Sequence, residues 1–514
     1  MKQDLTTGII DIGSNTVRLA VYQLSDNGAY RVIDQGRFAS RLSQHMNEDG
    51  HLANEAIEEL TDVLRHYRRI CQMHGVSRIR AVATAAIRQS ANRDSIIERL
   101  SGAIGIEIEV LSGEDEARIG SHAMLCTMGF KDGFVIDIGG GSTEISLLLN
   151  REVIHAVSFP IGCVNMTTRF ALGTEPVPSS VLHDMQLFVR QQLGKEKWIE
   201  QYPGLPVIGL GGTVRALAKL QQREADYPLN HIHGYELREE EVDGRLNQLA
   251  AISVDKRKKL PGLSKDRGDV IVSGLAVLLG ILRHTAASQV VVCGAGLRDG
   301  LFFETCLPQF RPQSAESVLQ ESIRNLTALY PTAPEDHLNQ VRMLAVTLYE
   351  RLSAKYSFPP QARRLLETAA KLYRIGTAID YNNSAEHTFY MLLHTHWNGL
   401  PHREMLLAAS IAAFASAGQL KRNLAPFRAL LSEGDIELAA RLGTLLQLAA
   451  ALDRSEAQAI SALDVLISGN KLLLIAHADH LLPVEQMEVE SIAKEIKKAW
   501  GLTPKLSVAT KFLR

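Results

Sequence analysis

The chain has 514 residues, more than one ordinary core can organise, so length alone predicts about three to four domains of roughly 100–200 residues. Its 46% hydrophobic and 22% charged content excludes fibrous, collagenous and largely disordered classes. A formal net charge of −2 gives no global field for a polyanion, so no nucleic-acid partner is expected and any phosphate site must be local.

Cys71, Cys126, Cys163, Cys293 and Cys306 are odd in number and scattered, which predicts neither a disulfide framework nor a zinc site and suits a reducing compartment. No apolar run reaches the ~18 residues of a membrane span. A cytoplasmic location without membrane insertion is the expectation.

In chain order, residues 8–23 read as two β-rich runs around a small polar turn, a hairpin with Asp11 at its neck. Helical periodicity follows over 54–73, then a strand over Ile79–Thr84, a helix through Arg88 and Arg93, and a strand over Ile106–Leu111. The hairpin recurs at 133–149, aligning Asp11-Ile12-Gly13 with Asp137-Ile138-Gly139. So long a period predicts two similar α/β domains rather than a solenoid. A third glycine loop, Gly209 to Thr213, follows an apolar strand at 206–208 and opens a helix from Val214. Past Phe310 glycine thins out and amphipathic helices are predicted from about 315 to 456. The last 50 residues predict a strand at Lys471–Ala476, another around Val484–Val489, a helix over Ser491–Trp500 and an apolar run near Leu506, a small α+β module.

The second hairpin carries the most specific chemistry. Asp137 and Glu144 bracket a turn with three consecutive glycines, Gly139, Gly140 and Gly141, whose backbone amides can form an anion nest, with Ser142 and Thr143 adding hydroxyls. Two carboxylates beside a phosphate nest call for a hard cation, which points to Mg²⁺; a tight glycine turn with solvated acids is the plainer alternative. The first hairpin supplies Gly13, Ser14, Asn15 and Thr16, with Arg18 on the return strand and Asp11 repeating the placement of Asp137 as a candidate metal ligand. The third loop places Gly211, Gly212 and Thr213 at a helix N-terminus beside Arg215, either an anion site or a structural turn.

Between the hairpins lies Ser112-Gly113-Glu114-Asp115-Glu116. Helix capping accounts for Glu114 and Asp115. Glu116 lies further in and can be either another helix acid or the group that positions a water. Arg88, at a strand-to-helix junction, suits a phosphate clamp or a surface ion pair. The run Lys256 to Lys259 reads as a solvated basic turn or a polyanion rail.

Taken together, Asp11 to Thr16, Ala83 to Arg88, Ser112 to Ala117 and Asp137 to Glu144 closely resemble the bacterial exopolyphosphatase and guanosine pentaphosphate phosphatase family (Ppx/GppA). Leu210 to Thr213, Arg267 with Asp269, and Gly296 to Gly300 resemble its later motifs in order, so the likeness spans essentially the whole chain. It implies two actin-like (ribonuclease H-like) α/β domains at 1–122 and 123–308, an all-α HD-like domain at 309–460, and the α+β module at 461–514. It further implies that Glu116 is the base that activates water, that Asp137 and Glu144 hold the metal, and that Arg88 and Arg267 meet substrate phosphate. In the HD-like domain, Lys371 to Gly376 stands where a His-Asp pair would fall, while His387 and Asp453 remain where later ligands would lie, so this domain is expected to be a degenerate scaffold.

The resulting expectation is an exopolyphosphatase that processively hydrolyses terminal phosphate from inorganic polyphosphate with Mg²⁺, K⁺ being a further candidate ion and a homodimer the family's expectation. Guanosine pentaphosphate 5′-phosphatase activity shares every motif. A small-molecule kinase would need an acceptor pocket, and a non-catalytic polyphosphate sensor would not need Glu116.

Overall fold

The computed structural model describes residues 5–510 and contains two compact units, Met1–Val318 and Leu319–Arg514. In the first unit, β1 (Leu5–Ile12) and β2 (Val17–Leu24) form the first hairpin and β3 (Tyr30–Phe38) extends it antiparallel. Helix α1 (Asn54–Met73) then returns the chain to β4 (Arg78–Ala83), which pairs parallel with β1. The helix expected through Arg88 and Arg93 is instead two: α2 (Ala85–Arg88) and α3 (Arg93–Ile104). Ser90 and Asn92 break it by bonding each other and the 50–52 backbone, the competition that small polar side chains offer a helix. Strand β5 (Ile108–Val110) completes a sheet of order β3-β2-β1-β4-β5.

Helix α4 (Gly113–Thr127) leads to the second hairpin, β6 (Gly133–Ile138) and β7 (Thr143–Leu149), with β8 (Glu152–Phe159) antiparallel beside it. Helices α5 (Cys163–Arg169) and α6 (Ser179–Leu193) precede β9 (Val207–Leu210), parallel to β6. Then come α7 (Gly211–Glu224), β10 (Glu236–Arg238), α8 (Glu239–Ala250), α9 (Val254–Arg257), α10 (Ile271–His284), β11 (Gln289–Val292) and α11 (Leu297–Cys306). The second sheet runs β10-β11-β9-β6-β7-β8. Its β8-β7-β6-β9-β11 portion repeats the order of the first sheet, so the sequence repeat is a repeat of topology.

Helix α4 is the shared wall. Ile119 packs with Ile9, Val82 and Phe302 on the first sheet's side, while Ala123 and Met124 pack with Val135, Leu148 and Ile208 of the second. At Gly300, α11 crosses α4 so closely that a Cβ there would strike the Ile119 carbonyl. The basic run at 256–259 is not wholly solvated, because Arg257 is 1% exposed and donates to the Leu249 carbonyl, while Lys256 and Lys259 are exposed.

The second unit is helical for most of its length: α12 (Ala315–Leu329), which contains the boundary, α13 (Glu335–Ser353), α14 (Ala362–Leu372), α15 (Ser384–His394), α16 (His402–Ala412), α17 (Ala417–Leu424) and α18 (Asp435–Leu452). Strands β12 (Ala462–Ser468) and β13 (Lys471–Ala478) pair antiparallel. The strand expected around Val484–Val489 is instead α19 (Pro483–Ser491): Pro483 sits in the first helical turn, where its missing N–H costs nothing, and Leu482 and Val489 are buried two turns apart. Helix α20 (Ala493–Trp500) leads to β14 (Thr503–Thr510), which pairs parallel with β13 and contains the apolar run near Leu506. In the helical part Asp453 is bonded to His337 at 2.7 Å, and the other ring nitrogen of His337 meets the Tyr373 hydroxyl at 2.6 Å. His387 is half-buried, and His394 stacks on Tyr390.

Candidate active site

Both hairpins close in the same way, Gly13 N–H donating to the Thr16 carbonyl at 3.1 Å and Gly139 N–H to the Ser142 carbonyl at 2.9 Å. Strand register sets Asp137 opposite Glu144 and, at the equivalent place, Asp11 opposite Arg18. The two turns abut: a Cβ on Gly140 would lie 3.1 Å from both the backbone nitrogen and the Cβ of Asn15, so side chains there would force the hairpins apart. Beneath the second turn, the amides of Cys163 and Val164 at the start of α5 bond the carbonyls of Gly139 and Gly140, each at 2.9 Å.

Helix α7 begins at Gly211, earlier than Val214, so Gly211 to Thr213 are its first turn rather than a loop before it. Gly211 has φ +80° and lies against the Asp137 carboxylate.

These elements enclose a cavity of ≈ 100 Å³. Of the residues singled out from sequence, Asp11, Gly13, Ser14, Asn15 and Thr16 line it from the first hairpin, and Asp137, Gly139, Gly140, Ser142 and Glu144 from the second. Glu116, Gly211, Gly212 and Arg267 line it too, as do Arg18 and Arg215. Gly141, Thr143, Thr213 and Arg88 do not line it. Gly141 lies against Ser14 and Ala85, the Thr143 hydroxyl donates to the Ile161 carbonyl, and Thr213 is 1% exposed beneath Gly274. Arg88 donates to the Leu111 carbonyl at 2.9 Å and to Glu116 Oε2 at 3.0 Å.

The cavity also contains Arg298 and Asp299. The Gly296 to Gly300 motif was visible in the sequence, but its route to the cavity was not. Arg298 donates to the Leu19 carbonyl, and Asp299 accepts from the Tyr22 hydroxyl at 2.9 Å and from the Gly296 amide at 2.8 Å, which ties α11 to the first hairpin. Ser158 was not singled out from the sequence. Paired with Glu144 across β7 and β8, it donates to Glu144 Oε1 at 2.7 Å and packs against Gly113 at the start of Glu116's helix. A lone serine in a strand carries no sequence signal for this. Ser158→Ala is expected to cost about 1–3 kcal/mol of stability, read as a lowered thermal midpoint, because a hydrogen bond to a buried carboxylate is lost.

Five carboxylates, those of Asp11, Glu116, Asp137, Glu144 and Asp299, and four arginines therefore share one small space. Burial pushes Asp11 and Asp137 above the ordinary carboxylate range against the pull of the arginines. Burial and then Glu144 push Glu116 well above its usual value, with Arg88 opposing. Arg18 is lowered to about 10 by burial and then by Arg215. Burial pushes Glu144 up to about 7, with the Ser142 hydrogen bond opposing.

The Glu144 shift has a measurable consequence for protein held in chelator. A carboxyl with a raised folded pKa contributes stability that is fully present below its unfolded value of 4.5 and is lost as pH rises through about 7. Glu144→Gln, neutral throughout, is expected to remove that slope. Its melting temperature relative to wild type should be higher at pH 8 than at pH 5.5; a pH-independent difference would refute the assignment.

An all-oxygen donor set of mutually repelling, buried carboxylates suits a hard divalent cation. Among the described residues no group of three or more His, Cys, Asp or Glu side chains converges to hold a metal. Mg²⁺ commonly uses one or two carboxylates and takes its remaining ligands from water and substrate phosphate, so the residues fit that mode of binding.

Paired glycine hairpins, an orphaned buried amide at Asn15 Nδ2 and four arginines are groups suited to phosphate. The profile of the Ppx/GppA phosphatase family matches residues 21–309, and that of domain III of Ppx/GppA phosphatases matches residues 318–495. The chain belongs to the Ppx/GppA phosphatase family. Among solved structures it is similar to an Aquifex aeolicus family member, with 29% identity over 60% of this chain and 99% of the relative and a TM-score of 0.52. A second Aquifex aeolicus Ppx/GppA structure gives 30% identity over 59% of this chain and all of the relative, TM-score 0.50. An exopolyphosphatase from Cytophaga hutchinsonii shares the fold at 24% identity, covering 58% of this chain and 97% of its own, TM-score 0.55. Among the described residues no helix is long and apolar enough to cross a membrane.

Proposed function

We propose that this chain is an exopolyphosphatase that removes terminal phosphates from inorganic polyphosphate by in-line attack of water. The observation that carries the reading is that Glu116, inside α4, faces the same cavity as both glycine hairpins. Asn15, Ser14 and the glycine amides hold the terminal and next phosphates, and Arg18, Arg215, Arg267 and Arg298 neutralise the charge that builds on transfer. Glu116 orients the attacking water and takes its proton; a carboxyl lifted by burial is the stronger base. Phosphoryl transfer through a loose transition state needs little more than this positioning. One or two of Asp11, Asp137 and Glu144 would hold Mg²⁺, with water and substrate phosphate supplying its other ligands, and the bound ion would screen the phosphate charge that these acids otherwise repel.

The same reading takes residues 1–122 and 123–308 as actin-like domains, 309–460 as an HD-like scaffold and 461–514 as the small module, acting as a cytoplasmic homodimer. Processivity follows if the shortened chain stays gripped while orthophosphate leaves. Long-chain polyphosphate, guanosine pentaphosphate and ATP should be compared for phosphate release with Mg²⁺ and with chelator. Release fastest from polyphosphate supports the proposal; release only from guanosine pentaphosphate replaces it with the pentaphosphatase reading. Transfer to ADP or a small acceptor would mark a kinase, and binding without turnover a sensor.

A further inference from the structure

A second depression lies directly behind the cavity wall. It is an open groove of ≈ 640 Å³ lined by Arg88, Arg93, Asp94 and Ile97, among others, and by Val110 to Ser112. Arg88 lines this groove and not the cavity, whereas Glu116 lines the cavity and not the groove. The two side chains meet at 3.0 Å with 19% and 15% exposure, so at this point the wall is one ion pair thick. Further ties lie beside the first hairpin, outside the cavity lining. The 41–43 loop is bonded to the first hairpin through the Asn15 and Ser14 carbonyls, and its Arg41 pairs with Asp269 at 2.7 Å, while Arg37 pairs with Asp266, both acids close to Arg267.

We propose that this groove is the exit for the orthophosphate product, with the Arg88–Glu116 pair as its gate. The inference rests on the hydrolase reading. In-line attack places water, and hence the freed phosphate, on the Glu116 side, opposite the leaving chain. A polyanion that stays bound obstructs the way it entered, so the product needs another way out. Arg88 can exchange Glu116 for phosphate, since a guanidinium forks onto either anion. Arg93, 47% exposed and bonded to neighbouring Asp94, is the next cation outward. Asp94 and Glu98, both exposed, repel an anion and so favour its release over retention.

Ile97→Trp fills the groove without touching the cavity. With the substrate that wild type turns over best, single-turnover cleavage is expected at the wild-type rate, while steady-state turnover falls about tenfold and a burst of one phosphate per site appears, because release has become limiting. An unchanged steady-state rate, or a fall matched by the single-turnover rate, overturns the proposal. Arg93→Glu keeps the test open if the tryptophan variant does not fold: it should weaken product inhibition by orthophosphate several-fold, and undiminished inhibition counts against the exit. If wild type releases phosphate from none of the substrates, the hydrolase reading itself fails. Wild-type turnover with unaltered variants removes the exit alone.

Discussion

Glu116→Gln is expected to lower kcat for phosphate release by about 10²–10⁴-fold while KM changes little, the signature of a lost proton acceptor rather than of lost binding. Glutamine keeps the shape of the side chain and an oxygen for Arg88, so the cavity should keep its geometry. What it removes is the ability to take a proton from water. Glu114→Gln and Asp115→Asn make the comparison: both acids are exposed, and Ser112 caps the helix by accepting from the Asp115 backbone amide, which the substitutions leave in place. They should retain activity within a small factor. Equal phosphate release by Glu116→Gln and wild type from the preferred substrate would remove Glu116 from the mechanism.

The second large effect is expected at Gly211. Its φ of +80° is costly for any residue with a Cβ, and the added methyl would fall on the Asp137 carboxylate. Left-handed strain and overpacking together should cost about 2–5 kcal/mol. In a unit of this size that lowers the melting temperature by several degrees. Because the atom in the way belongs to Asp137 itself, the variant should also lose Mg²⁺-dependent activity beyond what its stability loss explains, measured well below its melting temperature. Gly204, also at positive φ (+78°) but with nothing near its would-be Cβ, is the control. Gly204→Ala should show the strain cost and keep its activity.

Much of the fold is legible because it is written locally. The 20 residues of α1 carry their period in the sequence and form the helix predicted at 54–73. Both hairpins are legible because glycine-rich turns and alternating apolar residues act over a few positions. Where a segment's outcome depended on partners, the local pattern misled. Val484 to Val489 has residues that suit a strand, but the segment forms a helix that buries Val489, and the residue just before that helix, Leu482, is buried too. The break between Arg88 and Arg93 comes from side chains that bond the 50–52 backbone, some forty residues away.

For the site, the sequence by itself determined the chemistry on offer: two aspartates at hairpin necks, a glutamate on a following helix, and glycines where no Cβ is tolerated. These are short motifs, and the reason each residue type is needed lies within its own turn. Only the tertiary structure decided which of them share a cavity. It gathered Arg18, Arg215 and Arg298 into one cavity, set Ser158 on Glu144, and paired Arg88 with Glu116 at the cavity wall. Such choices depend on how α4 and α11 are wedged between two sheets, and contacts between residues on different elements, from 14 positions apart for Ser158 and Glu144 to 277 for Tyr22 and Asp299, leave no trace in local spacing.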